Sequence, residues 1–305
     1  MYNRERFIAR AINSCLQQDF EDFEIIVVDD CSTDASAKIV QNINDPRIIL
    51  IRHNVNQERL IARNTGARAS KGDWIIWFDS DDELLPNALT IIKQRISELP
   101  SDVMAMRFMC RLDSGLISPA PPYSDEILDY EGYICWIESH YGKWSESLPV
   151  VNKETIRSVL FPEDPWYTSE TQYHLDVASK YRIKTCTDVV RLYHLDAYNN
   201  TWNPNIKKML LAAPAFANRM EHILTVHGQS IIKWAPRTYK IWFSGMLTQL
   251  LLSGQRWKSL RFFLKALRSN NISLRILIIM ILGIIHHRLL AYAKTTGFRN
   301  TPFRS

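Results

Sequence analysis

Two runs of carboxylates stand out in a chain of 305 residues and otherwise ordinary composition. Asp29 and Asp30 follow the apolar run EIIVV at 24–28, and Asp79-Ser80-Asp81-Asp82-Glu83 follows WIIWF at 74–78. Acids this close repel one another unless a cation lies among them. Magnesium or manganese suits such a place, because both take hard oxygen ligands, commonly one or two carboxylates completed by phosphate oxygens and water. In Asp79-x-Asp81 an extended backbone sends both side chains to one face, where they can meet a single ion. An ion held there and on a diphosphate acts as a Lewis acid on a leaving group. A short acidic run by itself is more often a solvated loop; these two are set apart because each ends an apolar strand.

The elements that must position these acids follow from periodicity. Between Arg4 and Gln18 the apolar residues Phe7, Ile8, Ala11, Ile12, Cys15 and Leu16 have helical spacing. The run at 24–28 is β-branched and unbroken, which suits a strand covered on both faces. Ser32-Thr33-Asp34 offers capping side chains to a helix reaching Ile43. Residues 47–52 read as a strand, 57–70 as a helix ended near Gly72, and 74–78 as a strand. Pro86 fits the first position of a helix over 87–99, and 103–110 is a further strand. Alternation with short connections predicts an α/β, doubly wound sheet, with ligands gathering at the carboxyl ends of its strands. From Leu112 the pattern loosens. Pro119, Pro121 and Pro122 mark a loop, and Tyr123, Tyr130, Tyr133, Trp136, Tyr141 and Trp144 crowd the stretch that follows. Beyond Asn205 the chain reads as helical. The expected division is 1–110, 111–204 and 205–305.

Charge divides the same way. Residues 205–305 hold 16 Lys/Arg and one acid, Glu221, whereas 1–204 hold 21 bases and 31 acids. Within the tail, Trp257, Leu260, Leu264 and Leu267 share one helix face, and Lys258, Arg261, Lys265 and Arg268 share another roughly 100° away. Such a helix suits an anionic membrane surface, with the protein cytoplasmic and peripheral at the inner face of the cell membrane. Nucleic acid is not the expected partner, since neither zinc-finger spacing nor an RNA-binding sheet signature accompanies the bases. Met1 is followed by polar residues rather than the apolar core of a secretory signal. The longest apolar run, Ile276 to Ile285, has ten residues, against about 20 for a spanning helix. Cys15, Cys31, Cys110, Cys135 and Cys186 are widely spaced and suggest neither a disulfide framework nor a zinc site.

With these residues in place, the string YNRERFIARAINSCLQQDFEDFEIIVVDDCSTD resembles the opening of family 2 glycosyltransferases, and ARNTGARASKGDWIIWFDSDDELLP resembles their next block. The likeness runs from residue 2 to about 99, in order and at normal spacing. It implies a GT-A fold with a mixed sheet and a helical C-terminal extension. The three divisions become a nucleotide-sugar-binding lobe, an acceptor-binding lobe and a basic tail. It further implies that Asp30, in the pair Asp29-Asp30, hydrogen-bonds the nucleotide base beside Tyr2 and Asn3. Arg63 and Asn64 fall near ribose or diphosphate. Asp79, Ser80 and Asp81 face ribose and metal, and His194 could reach metal or diphosphate.

The sequence departs from the family in three places. The family has a strand before its P-x-Y-N, where this chain begins at Met1; a truncation at that first strand would leave backbone groups unpaired inside the sheet. Cys31 stands where glycine is commoner, a change a thiol tolerates where φ is negative. An inverting transfer needs a carboxylate to accept the acceptor proton, and the family's E-D pair reads Glu170-Thr171 here. Glu170 is the candidate base, with Asp164 and Asp176 behind it. The expected reaction is metal-dependent, inverting sugar transfer from a UDP- or dTDP-sugar, UDP favoured, to a lipid-linked or surface-glycan hydroxyl. The rivals are a nucleotide-sugar-binding protein without turnover and a sugar nucleotidylyltransferase. The latter wants a Gly-rich basic loop that these residues do not show.

Overall fold

The computed structural model describes residues 1–120, 123–140, 146–164, 169–195, 206–268 and 279–281, without the side chains of 206–208 and 265–268. The chain forms two compact units, Met1–Tyr133 with Lys143–Trp202, and Ile134–Gly142 with Asn203–Ser305. The first begins with α1 (Ile8–Leu16), β1 (Ile25–Asp29), α2 (Ser36–Gln41), β2 (Ile48–Arg52), α3 (Arg59–Ala69), β3 (Trp74–Ile76), β4 (Glu83–Leu84), α4 (Ala88–Ser97) and β5 (Val103–Leu112). It continues with β6 (Ile117–Ser118), β7 (Glu126–Leu128), α5 (Tyr130–Ser139), β8 (Ser147–Asn152), α6 (Lys153–Ser158), α7 (Thr171–Ala178) and β9 (Arg182–Tyr193). The division between units falls within α5.

The sheet is mixed. β1 and β2 pair in parallel, and a larger sheet runs β3-β8-β5-β9-β4, with β6 on β5 and β7 on β9. Only β5–β9 is parallel in that sheet; its other pairings are antiparallel. β8 was hidden from pattern reading by Pro149 at its centre, because a residue without an N–H argues against an interior strand. It nevertheless lies between β3 and β5, and the Pro149 carbonyl accepts the Trp77 N–H at 3.0 Å. Residues beyond 110 therefore complete the sheet begun before it. Pro86 also differs from expectation: α4 starts at Ala88, capped by Asn87 in the left-handed region at φ 63°.

Among the described residues no strand joins β1 to β3. On the edge of β1, the Met1 ammonium donates to the Val28 carbonyl and the Met1 carbonyl accepts from the Asp30 N–H, both at 2.8 Å. This is the hydrogen-bond pattern of a single parallel bridge opposite Asp29. Helix α3 packs on β1 at Gly66, where an added Cβ would stand 3.4 Å from a Val28 methyl. Ile8, Ile12, Val27 and Val40 close one core beside this pair of strands, and Met106, Phe108, Leu148, Val150 and Leu89 close another on the larger sheet.

The second unit is helical: α8 (Ile206–Val226), α9 (Gly228–Trp234), α10 (Pro236–Leu252) and α11 (Arg256–Arg268). Ala213, Ala217, Phe243, Leu247, Leu250 and Phe263 form its core. The Glu138 carboxylate accepts the N–H groups of Arg237 and Thr238 at 3.1 and 2.9 Å, capping the start of α10. On α11, Ser259 and Phe263 face inward, Leu260 is half-buried against the core, and Trp257 and Leu264 are exposed. Leu260 therefore does not share the solvent face of Trp257 and Leu264, as the spacing alone predicted. Lys258 pairs with Glu221 at 2.5 Å. The side chains of Lys265, Leu267 and Arg268 lie outside the described residues, as do Tyr141, Trp144 and most of the run from Ile276 to Ile285. Among the described residues no helix is long and apolar enough to cross a membrane.

Candidate active site

The two acidic strand ends differ in what surrounds them. At the end of β1, Asp29 is fully buried; its carboxylate accepts from Arg52 Nε at 3.0 Å and from the Ser32 N–H at 3.1 Å. Asp30, also buried, accepts from the Gln57 N–H at 2.9 Å and meets His53 Nδ1 at 2.8 Å, while His53 Nε2 meets the Thr65 hydroxyl at 3.0 Å. Tyr2 is exposed beside this turn. Asn3 ties the chain to the following loop: its N–H donates to Ser32 Oγ and its side-chain oxygen accepts from the Thr33 N–H.

Three non-glycine residues with positive φ surround Asp30: Asn3 at 50°, Cys31 at 65° and Glu58 at 70°. Cys31 does not meet the condition of a negative φ: it sits in the left-handed region that glycine favours. Strain of this kind, concentrated at one rim, marks a place where the chain is held for a purpose other than stability.

The end of β3 is different in kind. Asp79 receives Arg63 Nη2 at 2.8 Å and stands 3.8 Å from Arg191 Nη1. Asp81 lies 3.4 Å from Arg4 Nε, and its carbonyl accepts from Arg10 Nη2 at 2.7 Å. Asp82 is buried; it takes the His194 N–H at 3.1 Å and lies 3.5 Å from Arg191. Ser80 is half-buried within this turn. Glu170, directly before α7, does not cap that helix with its side chain. Its carboxylate turns to Arg63 Nη1 at 2.6 Å, with Arg59 and His174 each at 3.6 Å. Arg63 thus holds the candidate base and the first aspartate of the D-x-D together, its guanidinium 5.6 Å from the Phe161 ring centre.

The electrostatics follow from burial and neighbours. Burial works to raise the Asp79 carboxyl, and Arg63 and Arg191 overcome it, holding the group below its ordinary value. Burial and the charge of Asp79 push Asp81 up despite Arg4. Burial likewise carries Asp82 up against the pull of Arg191. For Glu170, burial opposes ionisation, but Arg63, His174 and Arg59 win and hold it well below the usual range. Burial pushes His174 down to about 4, so its ring is neutral near pH 7.

These directions test whether a divalent ion fits. Asp81 supplies a hard carboxylate oxygen where burial and the charge of Asp79 disfavour ionisation, a cost that a bound cation would offset. Asp79 has an arginine near each oxygen, so Asp81 is the freer of the two. His194 is engaged elsewhere: Nε2 meets Glu83 at 2.7 Å and Nδ1 lies 3.6 Å from Asp113. Among the described residues no group of three or more His, Cys, Asp or Glu could hold a metal by itself.

Arg4 links the two strand ends: its N–H donates to Ser36 Oγ at 2.7 Å, at the start of α2 after β1, and its Nε lies 3.4 Å from Asp81. Asn64 is fully buried, its amide donates to the Phe161 carbonyl and to Glu163 at 2.9 and 3.0 Å, and its oxygen accepts the Phe161 N–H at 3.0 Å. These bonds tie α3 to the segment that leads to Glu170. Asp176 pairs with Gln172 inside α7 at 3.3 Å. Sequence reasoning missed Arg4, Arg10, Arg59, Arg191, Glu146 and His53. Arg4 precedes α1 and Arg10 lies in its first turn, and both were open to detection as cations beside the acidic turn. Arg191 and Glu146 left no local signal.

Residues 1–145 match the family described as glycosyl transferase family 2. Over 100 residues the chain is 38% identical to the GalNAc(5)-diNAcBac-PP-undecaprenol beta-1,3-glucosyltransferase of Campylobacter jejuni, covering 32% of each. Over 81 residues it is 40% identical to the UDP-Glc:alpha-D-GlcNAc-diphosphoundecaprenol beta-1,3-glucosyltransferase WfaP of Escherichia coli, covering 27% of this chain and 32% of that one. The chain spans about a third of the length of the curated relatives it matches. In fold it is similar to residues 1–349 of TarS from S. aureus, in a crystal structure with UDP-GlcNAc. The TM-score is 0.56 at 17% identity, covering 88% of this chain and 90% of that one.

Proposed function

The chain carries a family 2 glycosyltransferase domain of the GT-A fold, and from that premise we propose that it is a metal-dependent, inverting glycosyltransferase. It moves a sugar from a UDP-sugar to a hydroxyl of a lipid-linked or surface-glycan acceptor. One observation carries this reading: Arg63 joins Asp79 to Glu170, so a diphosphate-binding group and a candidate base share one guanidinium. The donor follows from the E. coli relative's use of UDP-glucose, and the acceptor class from the undecaprenol-linked acceptors of both relatives.

In this mechanism Asp30 receives the base, with the exposed Tyr2 and Val55 offering apolar surface at the same rim. When bound, magnesium or manganese supplies Lewis acidity to the departing diphosphate, and Asp81 with Asp79 would hold it. Arg63 leaves Glu170 for the diphosphate oxygens, which bind it in bidentate fashion. Glu170, freed from its cation, takes the proton of the acceptor hydroxyl. That oxygen bonds to the anomeric carbon as the bond to the diphosphate breaks, and UDP departs. His194 would have to release Glu83 to reach the metal. The exposed Trp257, with Arg256 and Arg261 beside it, supports peripheral docking on an anionic membrane face.

The test is a nucleotide-sugar screen by thermal shift, with manganese or chelator, on the protein and on Asp81→Ala. A UDP-sugar shift that needs the metal and is lost in the variant is the expected result; equal shifts in both would sink the metal site. UDP release on adding acceptor separates transfer from binding alone. The binding-only reading draws on Thr171 and on the closed Arg63–Glu170 pair, and it predicts tight binding with no release. For the membrane, flotation with anionic vesicles should weaken in Trp257→Ala.

A further inference from the structure

Among the described residues, the largest fully buried side chain is a charged one, with no part in the mechanism above. Arg191, on β9, is 2% exposed. Its Nε donates to Cys110 Sγ at 3.1 Å and its Nη2 to Glu146 Oε2 at 3.4 Å. Nη1 lies 3.5 Å from Asp82 Oδ2 and 3.8 Å from Asp79 Oδ2. The guanidinium carbon stands 5.1 Å from the centre of the Tyr193 ring. A buried guanidinium is costly unless several partners satisfy it, so its place beneath this turn needs a reason.

The turn itself supplies one. Asp79, Asp81 and Asp82 stand within four residues, and Asp82 is buried. Arg63 divides its charge between Asp79 and Glu170, and Arg4 reaches Asp81. Asp82 Oδ2 is buried and makes no hydrogen bond; Arg191 is the cation within ion-pair reach of it. We propose that Arg191 is the internal counter-ion of the Asp79–Asp82 turn, a positioning residue that fixes the donor-site carboxylates so that their arrangement does not depend on a bound cation. The inference rests on the reading that the donor binds at Asp79 and Asp81. Lysine is a poor substitute, because one ammonium cannot reach two aspartates, a glutamate and a thiol while stacking on Tyr193.

The experiment uses the full chain with Arg191→Lys, Arg191→Met and the pair Arg191→Met/Asp82→Asn. Thermal unfolding is followed in chelator and over a manganese titration without nucleotide, and donor KM and kcat are measured for transfer. The wild type should melt at nearly the same temperature with and without manganese. Arg191→Met should be less stable in chelator and regain several degrees with manganese, which takes over the missing charge. Its donor KM should rise about tenfold or more, in the range found when the supports of a ligating group are lost, with kcat changed less. Arg191→Lys should fall between. In the pair, removing the unpaired acid should restore stability in chelator while donor KM stays high, because Asp79 still lacks support. A single methionine variant as stable as wild type in chelator, with wild-type donor KM, overturns the proposal. If that variant does not fold, the pair decides, and a wild-type KM there overturns it. Should no donor be found, the donor reading fails alone; the chelator arm still judges Arg191 as counter-ion.

Discussion

Asp29 and Asp30 at the end of β1, and Asp79, Asp81 and Asp82 at the end of β3, look alike as letters and behave differently as groups. The first pair is spent on backbone N–H groups, one arginine and one histidine, so each acid shapes the loop that follows it. The second set has arginines drawn from the segment before α1, from α3 and from β9, and its charges are only partly met. Acids satisfied by fixed donors build a pocket wall. Acids balanced by mobile or shared cations can exchange those cations for a metal and a diphosphate. In the proposed mechanism, recognition of the nucleoside falls to one strand end and the chemistry to the other.

The most severe way to break that comparison is at Glu170. Glu170→Gln should lower kcat by roughly 10²- to 10⁴-fold while donor binding by thermal shift persists; a kcat within a few-fold of wild type would move the base elsewhere. Next comes a contrast of kinetics between the ends. Asp30→Asn should raise donor KM by about tenfold or more with kcat nearly kept, as expected when a hydrogen bond to a charged group is lost. Asp81→Ala should cut kcat/KM by at least about 10²-fold in a metal-dependent way. One kinetic pattern at both ends would erase the distinction.

A third probe reads stability against pH. The folded pKa of His174 is depressed by burial to about 4 from an ordinary 6.5. Below 6.5 the unfolded chain gains a proton that the folded chain refuses, so stability is full above that pH and falls as pH drops toward 4. The loss should reach about 3 kcal/mol. Urea unfolding at pH 7 and pH 5 should show much of it, and His174→Gln should flatten the slope. The smallest effect is expected at the strained rim. Cys31→Gly should stabilise the chain by up to about 1 kcal/mol, since glycine is at home at φ 65° and its extra unfolded entropy offsets part of the gain. A destabilised variant would mean that the thiol's contact with the Asn54 carbonyl matters more than the backbone.

What the sequence determined by itself is local. β1, β2 and β3, the helices between them and the acidic turns they end in were legible because a short β-branched run, an apolar helical period and a run of acids are each written in adjacent letters. The sequence also carried Arg63, Asp79 and Glu170 as separate candidates. Only the tertiary structure decided that the Arg63 guanidinium joins the other two, that Asn64 spends its amide on the Phe161–Glu163 segment, and that Arg191 lies beneath the turn. Those contacts link residues 16 to 112 positions apart, and no spacing rule reaches so far. β8 was lost for a related reason. Its proline contradicts local strand chemistry, and what holds it in the sheet is pairing with β3 and β5 on either side, which no window along the chain can see.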